Sequence, residues 1–445
     1  MTIKEQGYCI NNMEHIFYTS SRSKQKVTFS EAIFSGQASD GGLFFPIALP
    51  KLQQKDLGDL KKLTFAELSF FLTTAWLGAE FGEEVCNDIS SAAHNFPLPF
   101  SEIRKNRFVL ELFHGPTQSF KDVGARFLAQ CMKHVLKKRS EELTILTATS
   151  GDTGSAVADA FAGMSEVRTF ILFPDGQISD VQRQQICMKR EGVTPIALQG
   201  NFDDCQRLVK QAMADKTLKH LNLSSANSIN VGRLVPQTFY YVYLAVQLAK
   251  EKEEVLCCVP SGNFGNVTAG LMAKHMGFPL RFIAATNAND VIPRYFQTGT
   301  FSAMPSVATY SNAMDVGNPS NLERIQFMYE QNVQKMRDDL FATVTSDART
   351  LEVMNEVYTQ DHYLLDPHGA VAWDGVDQYF NAHAANQQTS VSLATAHPAK
   401  FERAVKDALG FSPELPLVMQ EQMKQLSGAI ELEHSYEAFK HLLRS

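Results

Sequence analysis

The sequence lacks the patterns that mark membrane, secreted and nucleic-acid-binding proteins. No stretch of its 445 residues approaches the roughly 18 consecutive apolar residues of a transmembrane helix. The N-terminal residues include Lys4, Glu5 and Glu14 and no long apolar run, so we expect no signal peptide. The formal net charge is −7 and the basic run at residues 137–139 is short, which argues against nucleic-acid binding. We therefore expect a cytoplasmic protein with neither a membrane nor a nucleic acid as its partner.

Cysteine occurs without any pattern that would indicate a metal site. The seven cysteines are Cys9, Cys86, Cys131, Cys187, Cys205, Cys257 and Cys258. They include no CxxC pair and no Cys/His cluster with the spacing of a zinc site, so we expect no bound metal. Cys131, Cys257 and Cys258 lie in apolar runs and are expected to be buried thiols. An odd number of cysteines without a disulfide pattern favours a reducing compartment.

The apolar residues form a series of short runs that are typical of an α/β protein. Hydrophobic residues make up 44% of the chain and charged residues 20%, and the length suggests two or three domains. Strand-like runs that end in loops or turns occur at residues 143–148, 169–173, 255–259, 282–285 and 391–395. Strands that alternate with helices predict a mostly parallel sheet, in which ligands bind beyond the carboxyl ends of the strands.

The first hundred residues show a different pattern and are expected to form a separate N-terminal domain. Residues 60–73 have a helical pattern, and Gly41-Gly42 indicates a turn. Pro97 and Pro99 indicate a domain boundary. The stretch from Pro413 onward is expected to form one or two amphipathic helices that serve as packing elements.

The segment at residues 119–128 places a lysine within an apolar stripe. Wound as a helix, it puts on one face Phe120, Val123, Gly124, Phe127, Leu128 and Cys131. Lys121 falls inside this apolar arc, whereas Arg126 falls on the polar side. Partial desolvation would lower the pKa of Lys121 and favour the neutral amine, which can act as a nucleophile toward an aldehyde and as a general base. For this segment alone, a lysine that extends its charged end to solvent is the simpler interpretation.

A glycine-rich loop between a strand and a helix offers a site for a phosphate group. Its residues are Gly262, Asn263, Phe264, Gly265 and Asn266. The two glycines allow close approach to a ligand, and the helix start supplies free N–H groups and the positive end of the helix dipole. The loop lacks the Gly-Lys-Ser/Thr sequence of a Walker loop and the glycine spacing of a dinucleotide-binding loop. An ordinary turn is the alternative interpretation.

A second loop of the same design follows the strand predicted at residues 143–148. Thr149, Ser150 and Thr153 supply hydroxyl groups beside open backbone N–H groups, which suits a small anion such as an amino-acid carboxylate. Asp152 is expected to be the N-cap of the next helix. Two anion sites and a lysine in an apolar stripe together match the needs of pyridoxal phosphate and an amino-acid substrate.

Several segments, in the same order along the chain, resemble the threonine synthase family of fold-type II pyridoxal-phosphate enzymes. The segment at residues 114–122 matches the cofactor-lysine motif, and both loops match the family as well. These motifs are shared with other fold-type II enzymes. The N-terminal signature at residues 18–46 and the segment Ala394-Thr395-Ala396-His397-Pro398 are more specific. The long bacterial and fungal form of the family fits best.

The resemblance implies a fold class and a division into domains. The expected fold is α/β, that of a fold-type II pyridoxal-phosphate enzyme, with mostly parallel sheets flanked by helices in two βα domains plus an N-terminal domain. The N-terminal domain would span residues 1–100. The large cofactor-binding domain would span residues 101–130 and 223–445, and the smaller α/β domain residues 131–222.

The resemblance also implies roles for individual residues. Lys121 would bind the cofactor aldehyde as an imine, the loop 262–266 would hold the cofactor phosphate, and Thr395 would hydrogen-bond the pyridine nitrogen. A neutral hydroxyl there would leave the ring nitrogen unprotonated and the ring a weaker electron sink. Candidates for substrate binding are Thr149, Ser150, Thr153, Arg126, Asn227 and Arg233. Asp315 and Asn321 are expected on a loop near the site, without assigned roles.

The implied reaction converts O-phospho-L-homoserine and water to L-threonine and phosphate, by γ-elimination and β-addition of water, with Lys121 as general base. The protein would then be a pyridoxal-phosphate-dependent carbon–oxygen lyase that acts on a small molecule, as a monomer or homodimer. Alternatives are a phospho-lyase that releases 2-oxobutyrate from the same substrate and a threonine or serine dehydratase. A non-catalytic protein that binds an anionic metabolite is a further alternative.

Overall fold

The computed structural model describes residues 14–51, 60–250, 253–383 and 388–445. Lys4, Glu5 and Cys9 lie outside these ranges, and the expected N-terminal domain is described from residue 14 onward. Within the described chain, one small antiparallel sheet and two larger, mostly parallel sheets organise the fold.

The described N-terminal residues include the small sheet and helices. Strand β1 (Tyr18–Ser20) pairs in antiparallel fashion with β2 (Lys26–Val27) and β3 (Phe44–Pro46). The helices are α1 (Phe29–Ser35), α2 (Phe65–Phe81) and α3 (Glu83–Ala93). The prediction of a helix at residues 60–73 was wrong at both ends of the helix. It begins at Phe65, because Thr64 and Glu67 form a capping box, and its largely buried apolar sequence continues to Phe81.

A six-stranded sheet forms the larger of the two mostly parallel layers. In spatial order its strands are β12 (Leu340–Val344), β11 (Leu280–Thr286), β10 (Val255–Pro260), β13 (Ser390–Ala394), β5 (Arg107–Glu111) and β4 (Phe100–Arg104). Neighbouring strands are parallel except for the edge pair β5 and β4. Strands β10 and β13 are paired at the centre, so the loops that follow them open at the same edge of the sheet.

A five-stranded sheet, parallel throughout, forms the second layer. In spatial order its strands are β14 (Ile430–Leu432), β8 (Val193–Leu198), β7 (Val167–Pro174), β6 (Leu143–Ala148) and β9 (Leu223–Ser225). Every residue of β6, β10 and β13 is buried. Continuous burial explains why these strands are continuous apolar runs in the sequence rather than alternating ones.

Helices connect the strands of both sheets. Up to residue 248 they are α4 (Lys121–Arg139), α5 (Asp152–Phe161), α6 (Asp180–Cys187), α7 (Phe202–Ala214), α8 (Val231–Leu234) and α9 (Gln237–Leu248). They continue with α10 (Gly265–His275), α11 (Val291–Thr298), α12 (Leu322–Met328), α13 (Val333–Asp339), α14 (Asp347–Asp361), α15 (Pro367–His383), α16 (Glu402–Leu409), α17 (Leu417–Met423) and α18 (Tyr436–Arg444). Short 3-10 turns occupy Lys216–Leu221, Asn312–Met314 and Pro398–Lys400.

The α/β architecture with mostly parallel sheets, predicted from the sequence, is confirmed. The strand predicted at residues 143–148 is β6, and those predicted at 255–259 and 282–285 lie within β10 and β11. The last predicted strand, at 391–395, is β13, which ends at Ala394 and leaves Thr395 in the following loop.

The two parallel sheets divide the chain near the predicted domain boundaries but not at them. Strands β9 and β14 belong to the five-stranded sheet, although both fall in the 223–445 segment that was assigned to the large domain. Helix α4 also continues across the predicted boundary at residue 130. The division into domains stays a prediction.

Cysteine burial agrees with the expectation from the sequence. Cys131, Cys257 and Cys258 are fully buried, and burial raises the pKa of each thiol. Within the residues that the structure describes, no helix combines the length and the apolar character that crossing a membrane demands.

Candidate active site

Lys121 is the first residue of α4, and the segment before it is fixed to the segment that follows β13. Phe120 donates its backbone N–H to the carbonyl oxygen of Thr395 at 2.8 Å. Ser119 and Ala396 form a β-bridge. These contacts join parts of the chain that are distant in sequence, and they bring Lys121 close to the buried Thr395.

The amine of Lys121 lies in surroundings that disfavour its charge. The residue keeps partial solvent exposure, yet burial of its side chain lowers the pKa of Lys121 to about 8. The negative charge of Asp152 opposes this shift, whereas the positive charges of Lys400 and Arg233 add to it. A substantial fraction of the amine is therefore neutral near pH 8, and the neutral form attacks aldehydes and accepts protons.

The loop 262–266 makes a tight connection between β10 and α10. Phe264 directly precedes α10 and has a left-handed backbone conformation, with φ of 61°. Non-glycine residues rarely adopt this conformation, which costs free energy and is found at active sites as well as at helix ends. Gly262 lies against the neighbouring loop, where a Cβ atom would be 2.6 Å from the Cα of Met314 and 2.9 Å from the carbonyl oxygen of Ala313. Glycine is therefore the residue that fits at this position.

Polar side chains from neighbouring segments hold the loop 262–266 in place. Asn263 donates its side-chain N–H to the Ser228 hydroxyl at 2.8 Å, and its side-chain oxygen accepts the backbone N–H of Ser320 at 2.6 Å. Asn321 donates to the same Ser228 oxygen at 3.1 Å and to the Asn263 carbonyl at 3.0 Å. Asn321, which had no role in the sequence analysis, is thus part of the frame around this loop.

The fully buried guanidinium of Arg324 connects this frame to the N-terminal sheet. Arg324 donates to the carbonyl oxygens of Phe44 in β3 at 3.0 Å, of Ser228 at 2.9 Å and of Ile229 at 2.5 Å, and to Oδ1 of Asn321 at 2.6 Å. All four acceptors are neutral, and burial lowers the pKa of Arg324 to about 9. The N-terminal residues therefore contact the frame of the loop 262–266 through a buried cation.

The residues of this loop fit the phosphate group of pyridoxal phosphate. Gly265 begins α10, and among the described residues no side chain caps its first N–H groups. Asn266 is buried, and its side-chain oxygen accepts the hydroxyls of Tyr240 at 2.5 Å and Tyr241 at 2.6 Å. Its Nδ2 atom has no hydrogen-bond partner in the described chain. Because an unpaired buried donor is costly, a bound anion would stabilise this arrangement.

The second loop, after β6, is shaped by its own first hydroxyl group. The Thr149 oxygen accepts the backbone N–H of Gly151 at 3.0 Å and that of Gly154 at 2.8 Å, so Thr149 is engaged within the loop. Ser150 and Thr153 keep partial exposure. Of the three hydroxyls proposed to bind substrate, these two remain the more accessible.

Asp152 is not the N-cap of α5, contrary to the prediction. Gly151, with φ of 129°, occupies the N-cap position, and Asp152 is the first residue of the helix. The Asp152 carboxylate instead lies 2.6 Å from Nζ of Lys400 and accepts a side-chain N–H of Gln182 at 3.0 Å. Burial opposes ionisation of this carboxyl, but the charges of Lys400 and Lys121 outweigh it and hold the pKa of Asp152 well below its ordinary value.

The other three proposed substrate contacts have different settings. Arg126 donates to two backbone carbonyls at the C-terminus of α3, at 2.9 and 2.6 Å, which favours a structural role. Asn227 hydrogen-bonds both backbone groups of Ala148, at 3.2 and 2.7 Å, and so holds the carboxyl end of β6. Arg233 is buried and donates to the Ala226 carbonyl, while its Nε atom has no partner among the described residues. This unpaired Nε atom lies against Gly124 in α4, where an added Cβ would be 2.9 Å from it.

Asp315 organises the loop that lies over the glycine-rich segment. Its carboxylate accepts side-chain N–H groups of Asn287 at 2.9 Å and Asn289 at 3.1 Å, and both the backbone N–H and the hydroxyl of Thr309. Burial raises the pKa of Asp315 to about 6. These bonds favour a structural role for Asp315.

Two features beside the site were missed in the sequence. Lys400, two residues after the specific segment 394–398, is fully buried. His368 accepts the backbone N–H of Ala313 on Nε2 at 3.2 Å, and its Nδ1 atom lies 2.7 Å from the Asp366 carboxylate. Its closeness in sequence to the segment 394–398 was the available signal for Lys400. No pattern in the sequence indicated His368, because its partner Ala313 is remote in the chain.

Comparisons with known proteins show the family to which the chain belongs. Three family models match the chain: "Threonine synthase N terminus" at residues 17–94, "Pyridoxal-phosphate dependent enzyme" at 98–396 and "Threonine synthase, C-terminal" at 369–443. The threonine synthase of Haemophilus influenzae is 39% identical, over 96% of this chain and 99% of its own.

Solved structures of this family have the same fold. The crystal structure of threonine synthase from Escherichia coli is 38% identical with a TM-score of 0.88, over 96% of this chain and 99% of that one. The pyridoxal-phosphate-bound threonine synthase from Brucella melitensis is 34% identical with a TM-score of 0.90, at the same coverage. The chain therefore belongs to the threonine synthase family of pyridoxal-phosphate-dependent enzymes.

Proposed function

We propose that this protein converts O-phospho-L-homoserine and water to L-threonine and phosphate, with pyridoxal phosphate as cofactor. The observation that carries the proposal is the junction of Lys121, Thr395 and the loop 262–266 at the carboxyl ends of β10 and β13. When bound, the cofactor supplies an electron-withdrawing group that acidifies the carbon-bound protons of the amino acid attached to it.

Lys121 has the properties of the general base in this reaction. Its Nζ atom takes the proton from Cα of the substrate, releases it, and then takes the proton that leaves Cβ, after which the γ-phosphate departs. A proton added at Cγ, the hydroxyl of one water molecule added at Cβ and a proton returned to Cα then give threonine, and the second hydrogen of that water balances the departing phosphate. Because the pKa of Lys121 is about 8, part of the amine is neutral near that pH and can accept a proton.

The remaining roles follow from position and polarity. The loop 262–266 and the unpaired Nδ2 of Asn266 hold the cofactor phosphate, and the hydroxyl of Thr395 holds the pyridine nitrogen. Ser150 and Thr153, with Thr149 shaping their loop, bind the substrate carboxylate.

For the substrate phosphate, Arg233 is the proposed contact with the strongest support, because it has a buried donor without a partner in the described chain. Asn227 and Arg126 have weaker support, because their side chains already bond backbone groups.

Product analysis tests this proposal against its alternatives. The purified protein with added pyridoxal phosphate is incubated with O-phospho-L-homoserine, and threonine, 2-oxobutyrate and phosphate are quantified. Threonine and phosphate in equal amounts support the proposal, whereas 2-oxobutyrate with phosphate would indicate a phospho-lyase. Consumption of free threonine or serine would indicate a dehydratase. Lys133, exposed on the same helix as Lys121, supplies the matched control: K133A should stay active and K121A should not.

We further propose a cytoplasmic protein, monomeric or homodimeric, organised in the three domains given above, with no nucleic acid or membrane partner. The net charge of −7 and the short basic run support the absence of a nucleic-acid partner. Light scattering coupled to gel filtration would measure the oligomeric state, and a mass above that of two chains would contradict this part of the proposal.

A further inference from the structure

Lys400 and Asp152 form a buried ion pair beside the candidate site. Lys400 lies in the 3-10 turn after β13 of the six-stranded sheet, and Asp152 begins the helix after β6 of the five-stranded sheet. Their charged atoms are 2.6 Å apart. Nζ of Lys400 also donates to the carbonyl oxygen of Thr117 at 2.8 Å, in the segment that leads to Lys121. The pair therefore connects three segments: the loop before Lys121, the turn after β13 and the second anion loop.

Stability alone does not explain a pair of this kind. Removing two charges from water costs free energy that their attraction often fails to recover, so buried ion pairs are weak evidence for stability. Gln182, itself fully buried, donates to the same Asp152 oxygen and fixes its orientation. Two buried donors bind the same oxygen of this carboxylate and hold it in one orientation. A charged group that influences a neighbour through its electric field needs such a fixed position.

Both members of the pair act electrostatically on Lys121. The charged groups that influence its amine are Asp152 and Asp366, which favour the protonated form, and Lys400 and Arg233, which disfavour it. Asp152 and Lys400 shift the protonation of Lys121 in opposite directions, and they are held in contact with each other. The net electrostatic potential at the Lys121 amine therefore depends on the relative positions of the two charges.

We propose that Asp152 and Lys400 form a positioning pair that aligns the second anion loop with Lys121 and sets the charge state of the Lys121 amine. The inference rests on the proposed role of Lys121 as the cofactor lysine. It adds two residues that lie outside the loop that holds the cofactor phosphate.

The test measures how fast pyridoxal phosphate recombines with the cofactor-free full-length chain as a function of pH. The rate at which the visible absorption returns follows the neutral fraction of Lys121, and comparison between variants cancels the titration of the cofactor itself. D152N should lower the midpoint and K400M should raise it, each on the order of one pH unit, as expected when one nearby unit charge is lost in a protein-like dielectric.

Two further variants keep the test decisive if K400M does not fold. The double variant D152N/K400M replaces the ion pair by neutral groups, which proteins often tolerate, and its midpoint should lie between those of the single variants. K400R keeps the charge and should retain a midpoint near that of the wild type. K274M is the matched control, because Lys274 pairs with Glu254 beside the first residue of β10, and it should leave the midpoint unchanged.

The outcomes separate this inference from the proposed function. An unchanged midpoint in D152N, a double-variant midpoint shifted as far as that of D152N, or shifts of the same sign in D152N and K400M would overturn the role of the pair. If borohydride still fixes the cofactor at Lys121 in those variants, the proposed function survives. If no cofactor is fixed at Lys121 even in the wild type, the failure lies in the proposed function instead.

Discussion

Replacing Gly262 by alanine introduces one methyl group where the loop 262–266 contacts the loop that contains Ala313 and Met314. The new Cβ would lie 2.6 Å from the Cα of Met314 and 2.9 Å from the carbonyl oxygen of Ala313, both backbone atoms. That opposing backbone is anchored, because Ala313 donates to His368 and Met314 donates to Ser311. The loop 262–266 must therefore be the part that moves.

The size of the effect follows from the overlap. Overpacking of this kind costs about 1–3 kcal/mol. If the whole cost falls on the loop conformation that binds the cofactor, the affinity for pyridoxal phosphate falls by roughly 5- to 150-fold. G428A is the matched control, because a Cβ at Gly428 would have no heavy atom within 4 Å.

The assay is a titration of each cofactor-free variant with pyridoxal phosphate, followed by visible absorption, together with urea unfolding to show that the protein is folded. G428A should match the wild type in cofactor affinity. Cofactor affinity of G262A within about twofold of the wild type, a change below about 0.4 kcal/mol, would refute the reasoning that this glycine shapes the cofactor site.

Four further predictions follow from the site. Lys121→Ala should abolish turnover while circular dichroism shows a folded chain, since losing a desolvated amine relieves a cost; substantial residual activity would contradict its role. Thr395→Ala should weaken cofactor binding and slow turnover, and unchanged kinetics would exclude the role proposed for its hydroxyl. Arg324→Met leaves the buried carbonyls of Phe44 and Ser228 unpaired and should lower the urea-derived free energy of unfolding by at least about 3 kcal/mol; a loss below about 1 kcal/mol would contradict this. Recombination of the cofactor-free chain with pyridoxal phosphate should accelerate as pH rises through about 8, because the neutral Lys121 amine becomes abundant there; a midpoint near the ordinary lysine value of 10.5 would be contrary evidence.

The sequence predicts the fold well where local signals and burial agree. Strands β6 and β10 are continuous apolar runs that end in Gly/Ser/Asn loops, and both lie where the pattern placed them. Helix α2 was misplaced because a capping box at Thr64 and Glu67, rather than the start of the apolar pattern, determines its first turn. Strands β9 and β14 join the five-stranded sheet through pairing between remote segments, which no local pattern specifies.

The sequence predicted the positions of the loops at the site better than it predicted which side chains pair there. A lysine in an apolar stripe and two glycine loops can be read from residue spacing, so Lys121 and the loop 262–266 stood out. Asp152 resembled a helix cap because Asp before a helix usually is one, yet its partner Lys400 is distant in the chain. Arg126 resembled a phosphate ligand, although three-dimensional packing directs it to the carbonyls at the end of α3.

Borohydride reduction of the protein with bound pyridoxal phosphate, followed by peptide mass mapping, identifies the lysine that binds the cofactor. Reduction makes the link between the cofactor and its lysine permanent, so the pyridoxyl group stays on the residue that held it. We expect to find the pyridoxyl mass on Lys121. A pyridoxyl group on Lys400 or on any other lysine, or a protein that takes up no cofactor, would contradict this expectation.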